Sequence, residues 1–256
     1  MRGTNSDNGT TDLDELTRGA DAALQACGLQ GHRGRVALCL DISGSMQGNY
    51  LSGTVQRFAE RVLGLAMRLD DDQSIDVFLC GHDAHVVGPM KSGEHEGWIT
   101  RMLERHPLES GTRYGHAIET IRRFYFPDAG PRSAPVTATL PVYVMFVTDG
   151  RTSDETVAKQ QLTEAAMEPI FWQFMGLGRS RQEVRTGGIV GLVGRLLSTD
   201  FSFLEALDTM PGRWVDNAGF FSVEDPDKLR NDELYGLLMK EYPRWVAAVR
   251  KRGMIQ

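Results

Sequence analysis

Four short apolar runs, separated by segments of helical periodicity, constrain this chain most. Arg35 to Leu40 (RVALCL), Ser74 to Cys80 (SIDVFLC), Leu140 to Thr148 (LPVYVMFVT) and Pro169 to Gly176 (PIFWQFMG) are brief and almost continuously apolar. A strand wetted on one face alternates apolar and polar residues, whereas a strand covered on both faces does not. The runs therefore predict strands buried on both sides. Between them, Tyr50 to Leu69 places Leu51, Val55, Phe58, Val62, Leu65 and Leu69 on one helical stripe. Further helices are expected near Glu96 to Glu104, over Tyr114 to Phe124, over Asp154 to Met167 and at Phe203 to Leu207. An edge strand at Ala84 to Val87, a strand from Trp214 to Phe221 and a last helix from Pro226 to about Val249 complete the pattern. Strand and helix alternate about six times, which predicts an α/β class: a doubly wound, mostly parallel central sheet with helices on both faces.

A chain of 256 residues accommodates this as one domain. Residues 1–11 are rich in Gly, Ser, Thr, Asn and Asp and read as a disordered lead-in. Asp12 can cap a helix carrying Leu13, Leu16, Ala20, Ala23 and Leu24, so residues 12–33 read as an N-terminal helix and linker. Residues 34–250 form the domain, with insertions expected at 127–139 and 179–199. Within the second insertion, Ile189 to Leu197 (IVGLVGRLL) reads as a buried helix or a partner-docking element.

Net charge is −6, which counts against a whole-surface nucleic-acid binder. The basic clusters Arg179, Arg181, Arg185 and Arg250, Lys251, Arg252 read as solvated loop and tail. No apolar run is long enough to span a bilayer, and the polar, acidic N-terminus lacks a secretory h-region. Three cysteines, Cys27, Cys39 and Cys80, show no metal-type spacing. Their sparse, odd number suits a reducing compartment, so a cytoplasmic location is expected.

In open α/β sheets, ligands bind beyond the carboxyl ends of the strands. The first strand ends in Asp41-Ile42-Ser43-Gly44-Ser45-Met46 and the strand at Leu140 to Thr148 ends in Thr148-Asp149-Gly150. Between them, Gly111-Thr112-Arg113 lies in a loop joining two helices. Three loops at one edge thus offer carboxylates and hydroxyls and no thiol, a hard oxygen set suited to Mg²⁺ or Mn²⁺ rather than zinc. In an extended D-x-S-x-S segment residues two apart point the same way, so Asp41, Ser43 and Ser45 can converge on one point.

LCLDISGSM, SGTRYGHAIE and VYVMFVTDG resemble the metal-ion-dependent adhesion site of von Willebrand factor A domains. LDDDQSIDVF, IFWQFMGLG, FLEALDTMPGRWVDNAGFF and LYGLLMKEYPRW are similar to the TerF-like A domains of bacterial tellurium-resistance and stress-response systems. The resemblance runs from about Arg35 to Trp245; the 179–199 segment departs from it by length. It implies that Ser43, Ser45 and Thr112 touch Mg²⁺ through hydroxyls, with Asp41 and Asp149 holding it through water; Mn²⁺ or Ca²⁺ could substitute. Such a site is poorly neutralised and attracts an Asp or Glu of a protein partner, with Met46, Arg113 and Arg151 expected on the rim.

Two other readings of function stand beside this one. A metal-dependent phosphoryl-transfer hydrolase would use Asp41 as nucleophile, but such enzymes need a second acid two residues on, and position 43 is Ser. A structural interaction protein would keep only a vestigial site. No G-x-S-x-G elbow, G-x-x-x-x-G-K-[ST] loop or Cys–His pair points to other catalysis, so a non-enzyme is expected. Asp70, Asp71 and Asp72 read as a solvated turn at the opposite sheet edge, and His82 and His85 lack the convergent ligands of a zinc site. His116 reads as an exposed helical histidine near the rim, and Asn217 as a turn residue.

Overall fold

A computed structural model describes residues 12–128, 130–178 and 199–256. The elements follow in the order α1 (Leu13–Ala26), β1 (Arg35–Asp41), α2 (Gln47–Leu51), α3 (Thr54–Leu69), β2 (Ser74–Cys80), β3 (Ala84–Lys91), α4 (Trp98–Arg105) and α5 (Tyr114–Tyr125). Then come β4 (Val142–Thr148), α6 (Glu155–Ala165), β5 (Ile170–Leu177), α7 (Ser202–Asp208), β6 (Ala218–Val223), α8 (Asn231–Leu238) and α9 (Tyr242–Lys251). The six strands form one sheet in the order β3-β2-β1-β4-β5-β6. Every pairing is parallel except β2 with β3. This is the doubly wound α/β sheet that the apolar runs predict.

Burial on both faces follows from the two-residue period of a strand. Val36, Leu38 and Leu40 of β1, with Tyr143, Met145 and Val147 of β4, face the layer of α3, α8 and α9. Ala37 and Cys39, with Val144 and Phe146, face α5 and α6. Successive residues thus serve opposite cores, and charged residues appear only at the strand ends, at Arg35 and Asp41. The chain leaves β1 toward β2 but leaves β4 toward β5. The carboxyl ends of β1 and β4 are therefore neighbours at the point where the winding reverses, which opens a crevice there.

The expected N-terminal helix forms, with the Asp14 amide donating to the Asp12 carboxylate at 3.0 Å. It packs on α3, where a Cβ on Gly64 would come within 2.8 Å of Leu16 Cβ and of the Tyr235 hydroxyl.

The structure revises several boundaries. The helix expected over Tyr50 to Leu69 is two, because Gly53 turns the chain at φ 76° between α2 and α3. Leu51 leaves the core stripe in consequence and is 80% exposed. The last helix is also divided into a short 3₁₀ turn at Pro226–Lys228, then α8, then α9. Pro243 sits in the first turn of α9, where its missing N–H is harmless, whereas inside a continuous helix it would remove a hydrogen bond. β3 runs four residues further than expected, to Lys91, and tolerates Pro89 because it is an edge strand. β6 begins only at Ala218. The preceding turn is held by Arg213, which donates to Asp216 at 2.7 Å and Asn217 at 3.1 Å. Asn217 is fully buried and also donates to the Leu162 carbonyl, so it staples this turn to α6. Arg250, read as part of a solvated tail, donates to His32 Nδ1 at 3.0 Å.

Of the two expected insertions, the first is pinned to the body: the Val136 amide donates to the Met167 carbonyl and that of Ala138 to Met254. Residues 179–198, with the Arg179, Arg181 and Arg185 cluster and Ile189 to Leu197, lie outside the described residues, as do residues 1–11.

Candidate metal centre

β1 delivers Asp41 to the crevice fully buried. Its Oδ1 accepts the Ser43 amide at 2.7 Å and its Oδ2 accepts the Thr148 hydroxyl at 2.5 Å. The first bond bends the chain after β1 so that Ser43 and Ser45 turn back together, their hydroxyls 3.0 Å apart. Ser45 then donates to Asp149 Oδ1 at 2.8 Å. Asp41, Ser43, Ser45 and Asp149 are thus brought into one chain of oxygens across the β1–β4 crevice.

Thr112 arrives by backbone. Ser43 pairs with Glu109 as an isolated β-bridge: the Gly44 amide donates to the Glu109 carbonyl at 3.1 Å, and the Glu109 amide to that of Ile42 at 2.8 Å. The Thr112 carbonyl accepts from the amide and hydroxyl of Ser153 and from the Thr152 hydroxyl. Its own hydroxyl makes no hydrogen bond among the described residues, which leaves it available as a ligand.

An inner layer of polar side chains supports these residues. The Tyr50 hydroxyl donates to the Asp41 carbonyl at 2.9 Å. The Tyr114 hydroxyl lies 2.7 Å from both the Thr148 hydroxyl and the Gly150 carbonyl. Asp154 accepts from the amides of Gly115 and His116 at 3.1 and 3.0 Å, placing a carboxylate on the N-terminus of α5. Asp154 is the residue preceding α6, yet it caps α5 and so locks the Thr112 loop to the Asp149 loop. The sequence reading did not single out Tyr50, Glu109, Tyr114, Thr152 or Asp154 for the site. Glu109 meets Ile42 from 67 residues away and Asp154 meets Gly115 from 39, so no local spacing marks them.

Burial raises Asp41 to about 6, against the hydrogen bonds from Ser43 and Thr148, and Asp149 adds to the rise. Asp149 is raised too, again by burial, against the Ser45 hydrogen bond. No Lys or Arg pairs with either carboxylate among the described residues. Two carboxylates without a counter-charge, joined to hydroxyls, form a donor set that a hard divalent cation would complete. Among the described residues no cluster of three or more His, Cys, Asp or Glu side chains could hold a metal, so the hydroxyls are essential to this candidate.

The expected rim is only partly assembled. Met46 is fully buried and is not a rim residue. The chain turns into a 3₁₀ turn at Gly44, and Met46 points into the core, where its sulfur accepts from Asn49. Arg113 turns away to the β2–β3 turn, donating to the His82 carbonyl at 2.5 Å and to Asp83 at 2.9 Å. Arg151 is exposed and ion-pairs with Asp200. His82 and His85 do not converge: His85 Nε2 donates to Glu109 Oε1 at 2.6 Å.

The family model described as "vWA found in TerF C terminus" matches residues 33–255. The chain belongs to the vWA-TerF-like family. This TerF-like chain is 28% identical over 225 residues to YcbR, an uncharacterised protein of Bacillus subtilis (strain 168), covering 87% of this chain and 81% of that one. Among solved structures it is similar in fold to proximal thread matrix protein 1 of the mussel byssus, with a TM-score of 0.53 at 12% identity over 81% of this chain. The TerF-like chain spans 47% of that protein's length. A second structure of the same mussel protein, described with a zinc-occupied MIDAS motif, superposes with a TM-score of 0.51 at 13% identity, covering 81% of this chain and 47% of that one. No helix among the described residues is long and apolar enough to cross a membrane.

Proposed function

We propose that this protein is a Mg²⁺-dependent protein-binding domain, a scaffold or adaptor in a bacterial tellurium-resistance-like stress system, working in the cytoplasm. The observation that carries this reading is the oxygen chain Asp41, Ser43, Ser45 and Asp149 at the winding reversal, two of its members carboxylates without a cationic partner among the described residues. Ser43, Ser45 and Thr112 would hold the ion through hydroxyls, with Asp41 and Asp149 behind them; Mn²⁺ or Ca²⁺ would serve in its place. Ser45 and Gly111 are exposed, so the site opens outward and an Asp or Glu of a protein partner can reach it. Metal and partner would then strengthen each other's binding.

A binding module is favoured over a phosphoryl-transfer hydrolase by the state of Asp41. A nucleophilic carboxylate must present a free oxygen to its substrate, and Asp41 is buried with both oxygens engaged. It is favoured over a vestigial site because the Thr112 hydroxyl and both carboxylates are kept. The test is a Mn²⁺ titration followed by EPR on the protein and its Thr112→Ala and Asp41→Ala variants. One saturable site, competed by Mg²⁺ and lost in both variants, is the expected result. Absence of binding up to about 10 mM Mn²⁺ would refute a partner-independent site.

A further inference from the structure

The β2–β3 turn supplies no ligand to the metal centre, yet the segment that carries Thr112 is fastened to it at both ends. At the near end, Glu109 Oε2 accepts the Asp83 amide at 2.9 Å and Oε1 accepts His85 Nε2 at 2.6 Å. At the far end, the Arg113 amide donates to the Gly81 carbonyl at 3.0 Å, and the Arg113 side chain holds His82 and Asp83. Thr112 lies between these two attachments. Glu109 meanwhile pairs through its backbone with Ser43, exchanging hydrogen bonds with Ile42 and Gly44. One residue thus touches the Ser43 loop with its main chain and the turn with its side chain.

The turn is shaped to receive that side chain. A Cβ on Gly81 would stand 2.3 Å from Glu109 Oε2 and 2.9 Å from its carboxyl carbon, so only glycine leaves room. A Glu–His pair that is still partly solvated contributes little to stability by itself, about 0–1 kcal/mol. A fitted cradle, a backbone donor and a histidine donor on one carboxylate are more than such a pair requires.

We propose that Glu109 is a positioning residue that sets the spacing of the Ser43 and Thr112 hydroxyls, making the Gly81–His85 turn a working part of the metal centre. This rests on reading that centre as a metal site. Outer-shell partners of this kind typically change metal affinity by about 10–100-fold.

The experiment compares Mn²⁺ affinity by EPR, and thermal stability, for the full chain and Glu109→Ala, Glu109→Gln and Gly81→Ala. E109A weakens Mn²⁺ binding by about 10–100-fold while its melting temperature stays within a few degrees. E109Q, which can still accept from the Asp83 amide, recovers most of the affinity. G81A reproduces the loss by displacing the carboxylate, adds little in the E109A background, and serves where E109A does not fold. Mn²⁺ affinity in E109A equal to that of the unaltered protein overturns the proposal. Should the unaltered protein bind no Mn²⁺, a partner-independent metal site is refuted, and hydrogen exchange without metal decides the positioning role. Faster exchange of the Gly44 and Arg113 amides in E109A upholds it; unchanged rates overturn it.

Discussion

The Thr148 hydroxyl donates to Asp41 Oδ2 at 2.5 Å, joining the ends of the two central strands through a carboxylate that solvent does not reach. Among the described residues, an ionised carboxylate in that position is held by dipoles alone. Burial of such a group costs free energy unless a cation answers it.

The first prediction follows from that cost. Asp41→Asn keeps an acceptor for the Ser43 amide and can donate to Thr148, while removing the buried charge. With chelator present, the variant is expected to be more stable than the unaltered protein by about 1–3 kcal/mol. Urea denaturation in EDTA measures this, and equal or lower stability would show that the site already neutralises Asp41.

Arg122 and Glu168 form a second buried charge system, on the α5–α6 side of the sheet. Arg122 reaches Glu168 through Nε at 2.9 Å and Nη2 at 3.0 Å, and Arg132 adds a third bond at 2.9 Å. Arg122→Ala leaves Glu168 buried with a weakened counter-charge. The expected loss is about 3–5 kcal/mol in urea denaturation, whereas Glu119→Ala, which breaks an exposed pair with Arg123, loses less than about 1 kcal/mol.

Gly115 of α5 packs directly against the backbone of α6. A Cβ there would stand 2.5 Å from the Ala158 nitrogen and 2.8 Å from Val157 atoms, so the helices would have to part. Gly115→Ala is expected to destabilise by about 1–3 kcal/mol despite the better helix propensity of alanine. α5 begins two residues after Thr112, so Mn²⁺ affinity should fall as well. A stability loss with unchanged affinity would separate the packing from the site.

Acid stability is expected to depend on His32. Burial, with the nearby Arg250 acting in the same direction, lowers its pKa to about 4. Arg250 donates to Nδ1, so the proton of the neutral ring sits on Nε2 and donates to the Tyr242 hydroxyl at 3.0 Å. A histidine depressed in the folded state gives stability that is complete above its unfolded value of about 6.5 and is lost as pH falls toward 4. The contribution is at most about 3 kcal/mol. His32→Gln should flatten the stability profile between pH 6.5 and 4; an unchanged slope in denaturant titrations would place the acid sensitivity elsewhere.

Much of this was legible in the residues alone. Short continuous apolar runs alternating with helical stripes fit strands covered on both faces, with helices to both sides and ligand loops at the carboxyl ends. Asp41 and Asp149 were readable because strand ends are local properties, whereas Ser45 joins Ser43 through a 3₁₀ turn at Gly44–Met46 and not through the extended alternation expected. The breaks at Gly53 and Pro243 leave signals in the sequence as well, but the apolar stripe on either side of each outweighed them.

What required the tertiary structure was every contact between distant segments. Met46 follows the metal loop directly, and only the inward turn of the chain shows that it belongs to the core. Asp154 reads locally as the cap of its own helix, but its carboxylate goes to the amides of Gly115 and His116. Glu109 carries no motif; its part in the site exists because Gly81, 28 residues earlier, leaves space beneath it. Periodicity follows from the geometry of a single chain segment, and a sequence displays it. Contacts across the sheet depend on how segments pack in space, and residue order does not record that distance.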